Sequence, residues 1–394
     1  MDKENHPTQT RQSPSIMSKI TIKNIQEIKS FENIREDWDC LLANSPVKSA
    51  FLTWEWLYGW WKVNGADRDL WLITAWRDNK LIGIAPLMRE TRKKLGVPLR
   101  AIVNMGTPQN DVGGFLFNDE GSEVPLLLWN YLAENKSKWD IIELNEFTFS
   151  GTEHKVLRAQ SRDKKLLWRE EKNIHYFIAL EDTWDKFSER LARKFRYNLR
   201  RALRLAEEIG PVEIRHFTGN KVTQDVFQTV LEINRHAHYP RLYHSQQEQA
   251  LIKELTEQTA PRQGWLDVHI LSVNNEPIAY EYGFGYEGRF EDWRSGYDTR
   301  FPVNISIGKL LAMQVVQKCI QEKYNEIDFL RGDETYKQEW MPSQREFVNI
   351  RIFNNKSPQA VLAYLWLEKI KPLLKKPVVE QPTSEESKDE SRQD

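Results

Sequence analysis

Seven consecutive positions, Arg331-Gly332-Asp333-Glu334-Thr335-Tyr336-Lys337, hold a guanidinium, two carboxylates, a phenol and an ammonium. They follow residues 326–330, whose apolar run reads as a short buried strand. Polar groups just past the carboxyl end of such a strand stand where open α/β sheets bind ligands. Arg331, Asp333, Glu334 and Lys337 therefore bind substrate, or they pair with one another and only fix the loop.

Upstream, residues 289–297 read as a strand after a Glu287-Gly288 turn. A helix is expected over 308–323, with Leu311, Val315, Val316, Cys319 and Ile320 on one face. Asn304, Ser306, Ile307, Gly308 and Lys309 stand where that helix begins. The first amides of a helix lack partners, and its dipole favours negative charge there. The turn suits a pyrophosphate, with Gly308 removing bulk and Lys309 adding charge. The plainer alternative is that Asn304 or Ser306 caps the helix.

A third feature is the run 190–204. It holds Arg190, Arg193, Lys194, Arg196, Arg200, Arg201 and Arg204 and no acid. Such a run is a solvated face or an anion-binding patch. Nucleic acid is one partner for it, through phosphate contacts. With only Phe195 and Tyr197 interleaved, stacking on single strands has little support. An anionic acceptor, or the phosphates of a donor, suits the near-neutral chain better. His236-x-His238, with His244 nearby, lacks the i, i+4 spacing of helical metal ligands, has no cysteine close by and contains Pro240. It reads as a pocket-lining loop, and no metal site is expected.

The elements that must position these groups fall into two similar stretches. In the first, strand 70–76, the turn Asp78-Asn79 and strand 81–89 form a hairpin. In the second, strand 265–273, the turn Asn274-Asn275 and strand 277–286 do the same. Each stretch is preceded by a tryptophan-bearing helix with a threonine cap: residues 54–63 after Thr53, and 184–209 after Thr183. Strands are also expected at 139–147, 174–180 and 346–353, the last as an edge strand. Helices are expected at 223–237, 246–259 and 358–370. This mixture indicates an α/β (α+β) protein.

Of the 394 residues, 40% are hydrophobic and 29% charged, which is the make-up of a soluble chain with sizeable cores. The net charge of −1 gives no long-range pull toward nucleic acid or anionic membrane. Cys40 and Cys319 do not suggest a disulfide framework, consistent with a reducing compartment. No apolar stretch approaches the roughly 20 residues of a membrane span, and the polar start has no signal-peptide core. A cytoplasmic protein is expected. The 15 tryptophans read mostly as core, with a minority stacking on a sugar or nucleotide.

The segments Tyr297-Asp298, Ser306-Ile307-Gly308-Lys309-Leu310-Leu311, Ile327-Asp328-Phe329-Leu330-Arg331-Gly332-Asp333-Glu334, Tyr336-Lys337 and Trp340 resemble a family. It is that of acetyltransferases related to the cellulose-biosynthesis protein CelD, a branch of the GNAT superfamily close to the Fem peptidyltransferases. Phe51-Leu52-Thr53-Trp54-Glu55-Trp56-Leu57, Asp111 in its glycine-rich loop and Arg193-Lys194-Phe195-Arg196 extend the resemblance over roughly residues 20–355. The usual GNAT pyrophosphate loop, Gln/Arg-x-x-Gly-x-Gly/Ala, is represented only by Gly308, within a Ser-x-Gly version.

The resemblance implies tandem GNAT-like domains, at 18–180 and 181–355. A disordered leader (1–17), a closing helix (356–375) and a disordered acidic tail (376–394) complete the chain. It implies transfer of an acyl group, acetyl in the first instance, from acyl-CoA to an amine or hydroxyl of a sugar or polysaccharide precursor. The donor would lie on Asn304, Ser306, Ile307, Gly308 and Lys309. Glu291 or Asp298 would be the base, with Asp292 on the opposite strand face, and Tyr336 the acid, with Asp333 beside it. Arg196, Arg200, Arg331, Lys337, Trp340 and Asp111 would bind the acceptor. Each role has a structural rival: an edge-strand charge for Glu291, a turn for Asp298, a packing aromatic for Tyr336. Two other functions stay open, a Fem-type transferase using aminoacyl-tRNA and a non-catalytic scaffold of a polysaccharide synthase.

Overall fold

The computed structural model describes residues 19–94, 96–118, 123–259 and 264–371. The expected leader and acidic tail lie outside the described residues. The first half runs β1 (Ile20–Ile25), α1 (Ile28–Asn33), α2 (Arg35–Ala43), α3 (Trp54–Asn64), β2 (Asp69–Arg77), β3 (Lys80–Lys94), β4 (Val97–Asn104), β5 (Leu116–Phe117), α4 (Glu123–Glu134), β6 (Ile141–Thr148), α5 (Thr152–Asp163) and β7 (Leu167–Ala179). The second runs α6 (Trp184–Glu189), α7 (Arg193–Glu207), β8 (Val212–Thr218), α8 (Gln224–Arg235), α9 (Arg241–His244), α10 (Gln246–Thr259), β9 (Leu266–Val273), β10 (Glu276–Tyr286), β11 (Arg289–Tyr297), α11 (Ile307–Gln321), β12 (Glu326–Arg331), α12 (Thr335–Gln338), β13 (Ser343–Phe353) and α13 (Pro358–Tyr364). Among the described residues, no helix is long and apolar enough to cross a membrane.

All strands join one mostly antiparallel sheet, ordered β1-β2-β3-β4-β6-β13-β7-β12-β11-β10-β9-β8, with β5 on β3. The halves repeat each other. β1 to β4 form an antiparallel meander and β4 then pairs in parallel with β6; β8 to β11 form the same meander and β11 pairs in parallel with β12. The expected hairpins are the equivalent β2–β3 and β9–β10. Their turns match: Asp78 and Asn79 have φ of 50° and 63°, and so do Asn274 and Asn275. Asp and Asn tolerate this left-handed region better than most residues, which is why a two-residue hairpin turn forms there without glycine. Gly83 has its counterpart in the buried Ala279. A Cβ at Gly83 would come within 2.2 Å of Val124, so the small residue lets α4 lie against β3.

The last strands are exchanged between the halves. β7 leaves the first half to pair with β12, and β13 leaves the second to pair with β6. The two then pair with each other along residues 343–353 and 167–177. The expected edge strand is therefore central. Its alternation arises because the faces of a central strand differ: Val348, Ile350 and Ile352 are buried and alternate with the half-buried Asn349 and Arg351. The helix expected over 184–209 is broken at residues 190–192, where Ala192 turns extended (φ −56°, ψ 139°) and Leu191 drops into the core. Thr53 and Thr183 cap α3 and α6 as expected, accepting from the amides of Trp56 and Lys186.

Candidate functional site

β11 and β12 pair only from Arg289–Glu291 against Glu326–Asp328. Beyond that point β11 continues to Tyr297 and β12 to Arg331 unpaired with each other, so the sheet opens. On β11, Tyr282 faces Arg294 and Gly283 faces Asp292, leaving Trp293 as an extra residue in a bulge. Bulges re-aim neighbouring side chains.

A cavity of about 610 Å³ fills one side of the opening. It is lined by the end of β11, the loop after it, and Ile307, Gly308 and Lys309 at the start of α11, with Glu281, Tyr336, Glu339 and Trp340 opposite. No side chain caps α11 at Ser306. A Cβ on Gly308 would touch only Tyr297, at 3.7 Å, so the glycine keeps the cavity floor open. Lys309 pairs with Glu339 at 2.8 Å. The Ile307 amide donates to the Ile305 carbonyl at 2.9 Å, so the fit to a pyrophosphate rests on the amides of Gly308 and Lys309, the low bulk and the positive charge. Asn304 is exposed and does not line this cavity.

A second cavity, of about 680 Å³, is lined by polar groups of both signs, including Asp111, Asn234, Glu248, Asp292, Arg294 and Arg331. Ser295 and Tyr336 line both cavities. Glu281 reaches the first cavity and Asp292 the second, from neighbouring strands. Burial, together with the charges of Asp292 and Asp267, holds the Glu281 carboxyl well above its ordinary range. Burial pushes Asp292 up to about 6, against the ammonium of Lys337. Burial and the same two carboxylates keep the Tyr336 phenol protonated.

Several expected site residues have other duties. Glu291 lines neither cavity. Its carboxylate accepts hydrogen bonds from Ser49 Oγ (3.1 Å) and the Ala50 amide (3.0 Å), tying the halves together. It is a buried tie and not an edge charge, because β11 is an inner strand. Asp298 lines the first cavity but closes a turn, accepting from the amide (2.9 Å) and guanidinium (2.6 Å) of Arg300. Burial raises its pKa, but the Arg300 hydrogen bonds outweigh this and hold the carboxyl below the usual range, which suits a base poorly. Lys337 is buried and clamps its own loop. Its Nζ donates to the carbonyls of Phe329 (3.0 Å), Arg331 (3.0 Å) and Gly332 (3.3 Å), and pairs with Glu334 (2.8 Å). Little capacity remains for a substrate. Asp333 is exposed and lines neither cavity.

Arg196 and Arg200 line neither cavity, and their helix stands beside the first one. Phe195 meets Trp340 edge-on with centroids 5.0 Å apart, and Lys309 Nζ lies 5.4 Å from the Phe195 ring. Arg331 and Lys337 line the second cavity, while Tyr336 of the same loop also reaches the first, beside which the basic helix stands. Trp340 is a fully buried wall of the first cavity. Arg331 and Asp111 do meet, at 2.5 Å on the rim of the second. Glu281 and Asp292 were not singled out as site residues from sequence. The available signal was a carboxylate in the middle of an otherwise apolar strand, as at Glu281 in β10.

Residues 193–338 match the family described as Acetyltransferase (GNAT) domain. No curated protein matches the chain. Among solved structures, FemX superposes with a TM-score of 0.58 at 10% identity, over 85% of this chain and 98% of that one. L-PGS from Bacillus licheniformis superposes with a TM-score of 0.52 at 13% identity, over 84% of this chain and 94% of that one. At these identities the likeness is one of fold. Residues 193–338, which supply most of both cavities, are the segment that matches the GNAT acetyltransferase domain, and that match supports an acyltransferase.

Proposed function

We propose that the protein moves an acyl group, acetyl in the simplest case, from acyl-CoA in the first cavity to an amine or hydroxyl of a sugar or glycan precursor in the second. The observation that carries this reading is the junction of the cavities at Ser295 and Tyr336. Asp292, on the acceptor side, takes the proton as the acceptor attacks the thioester carbonyl. The carbon–sulfur bond breaks, and Tyr336 gives its proton to the departing thiolate. Its raised pKa means that the phenol carries a proton to donate at neutral pH. Gly308, Lys309 and the first amides of α11 hold the pyrophosphate. Arg331, Asp111, Asn234 and Glu248 offer the mixed donors and acceptors a polyhydroxylated acceptor requires. The CelD-like assignment, a place in polysaccharide biosynthesis, a cytoplasmic location and the domain limits 18–180 and 181–355 belong to the same reading.

Thiol release from acetyl-CoA with a panel of amino sugars tests it. Turnover is expected in the wild type and a fall of about 10²- to 10⁴-fold in Asp292→Asn, the usual worth of a general base. Equal turnover in both would remove Asp292. A second reading, an aminoacyl-tRNA donor, is favoured by the basic face of α7 beside the first cavity and by the fold likeness to FemX. Tight tRNA binding abolished by Arg196→Ala/Arg200→Ala, with no acetyl-CoA binding, would replace the first reading by the second.

A further inference from the structure

Outside both cavities, β8 and β9 carry a second polar cluster. His216 and His269 are direct cross-strand partners, and Asp267 sits two residues before His269 on the same face. The ligand atoms of these three all lie within 4.8 Å of one another. His216 Nε2 meets Asp267 Oδ1 at 2.8 Å, and His269 Nδ1 is 3.4 Å from the same oxygen. The Tyr324 hydroxyl donates to Asp267 Oδ2 at 2.5 Å, and a Glu322 oxygen lies 3.8 Å from His216 Nδ1. Gly285 makes room for this, because a Cβ there would fall 2.1 Å from the Tyr324 hydroxyl.

Two features are poorly explained by packing alone. His269 is fully buried, and neither of its ring nitrogens has a hydrogen-bond partner. A neutral imidazole has one donor and one acceptor, and leaving both unpaired in a core is unfavourable. Asp267 is a fully buried carboxylate on the same face. Two imidazoles and a carboxylate on one wall are a ligand set for a first-row divalent ion.

We propose that His216, Asp267 and His269 form a structural zinc-type site, with the Tyr324 hydroxyl or the Glu322 carboxylate as the fourth ligand. The two rings lie parallel, 4.4 Å apart and 6° from coplanar, so coordination requires them to tip until one nitrogen of each meets the ion in its ring plane. The ion would pin edge strand β8 to β9 and to the end of α11, the helix whose other end floors the first cavity. This proposal stands apart from the acyl-transfer reading, because none of its residues lines either cavity.

Zinc chloride titrated into the full chain after chelator treatment tests it, by calorimetry and by metal analysis after gel filtration. One zinc per chain is expected, with a rise in Tm. His216→Gln and His269→Gln should each weaken binding by at least about tenfold, while His236→Gln, outside the cluster, leaves it unchanged. Circular dichroism of His216→Gln, whose ring is at the rim of the cluster, separates loss of the ligand from loss of fold. No retained zinc in the folded wild type, or equal affinity in folded His216→Gln, would overturn the site.

Discussion

The guanidinium of Arg331 meets the carboxylate of Asp111 at 2.5 Å, and the two residues come from different halves of the chain. Arg331 also donates to the carbonyl of Pro108 at 2.8 Å, and Trp293 donates its indole N–H to the Gln109 carbonyl at 3.3 Å. The first half's glycine-rich loop thus serves as a wall of the second half's site. Burial raises the Asp111 pKa and Arg331 opposes it. Asp111→Ala should leave Arg331 without its partner and raise the acceptor KM roughly tenfold, with acetyl-CoA affinity unchanged. Steady-state kinetics with each substrate varied checks this; an effect confined to the donor would place Asp111 elsewhere.

The junction predicts a pH profile. Asp292 accepts a proton only when ionised, and its pKa is pushed up to about 6. The rate should rise with pH through that value and level off above it. Asp292→Asn should lose this limb along with most of kcat, and Tyr336→Phe should lower kcat while keeping the limb. A limb that persists in Asp292→Asn assigns it to another group, with Glu281 next in line.

Glu291 gives a stability prediction. Burial pushes its pKa up to about 7 from an ordinary 4.5. In the unfolded chain this carboxyl ionises first, so unfolding is favoured increasingly as pH rises between those values. The contribution is fully present below pH 4.5, lost above 7, and worth roughly 3 kcal/mol. Glu291→Gln can keep the hydrogen bonds from Ser49 and Ala50 and should flatten this decline, with turnover close to wild type. Urea unfolding at pH 5 and pH 8 measures it; a dead but folded variant would return Glu291 to the list of bases.

The basic helix predicts a salt effect on the donor side. Arg196→Ala/Arg200→Ala should raise the acetyl-CoA KM several-fold and reduce its dependence on ionic strength, because exposed charges are screened within about 10 Å at 0.1 M salt. The acceptor KM should not move. Equal salt dependence in both proteins would make the patch a solvated surface.

What the sequence disclosed follows from how local each feature is. The hairpins were legible because Asp78-Asn79 and Asn274-Asn275 specify their turns within two residues. The α11 start was legible because Gly308 and the apolar face behind it sit close together. The exchange of β7 and β13 was not, since alternation tells which face is buried and says nothing of which strand lies alongside. Asp292 is legible only as lying on the opposite strand face from Glu291, since the sequence does not say which face meets a cavity. For Lys337 the pairing with Glu334 is legible as one of two alternatives, while its three backbone carbonyl acceptors carry no sequence signal.

Calorimetric titration of acetyl-CoA into the wild type and Gly308→Val tests whether acyl-CoA occupies the first cavity. A Cβ at Gly308 meets only Tyr297, at ordinary contact distance, so the variant should fold normally while its side chain enters the cavity. The wild type is expected to bind one acetyl-CoA and the variant to lose roughly 10- to 100-fold in affinity, with unchanged circular dichroism. No binding by the wild type at saturating ligand, or the same affinity in both proteins, would contradict it.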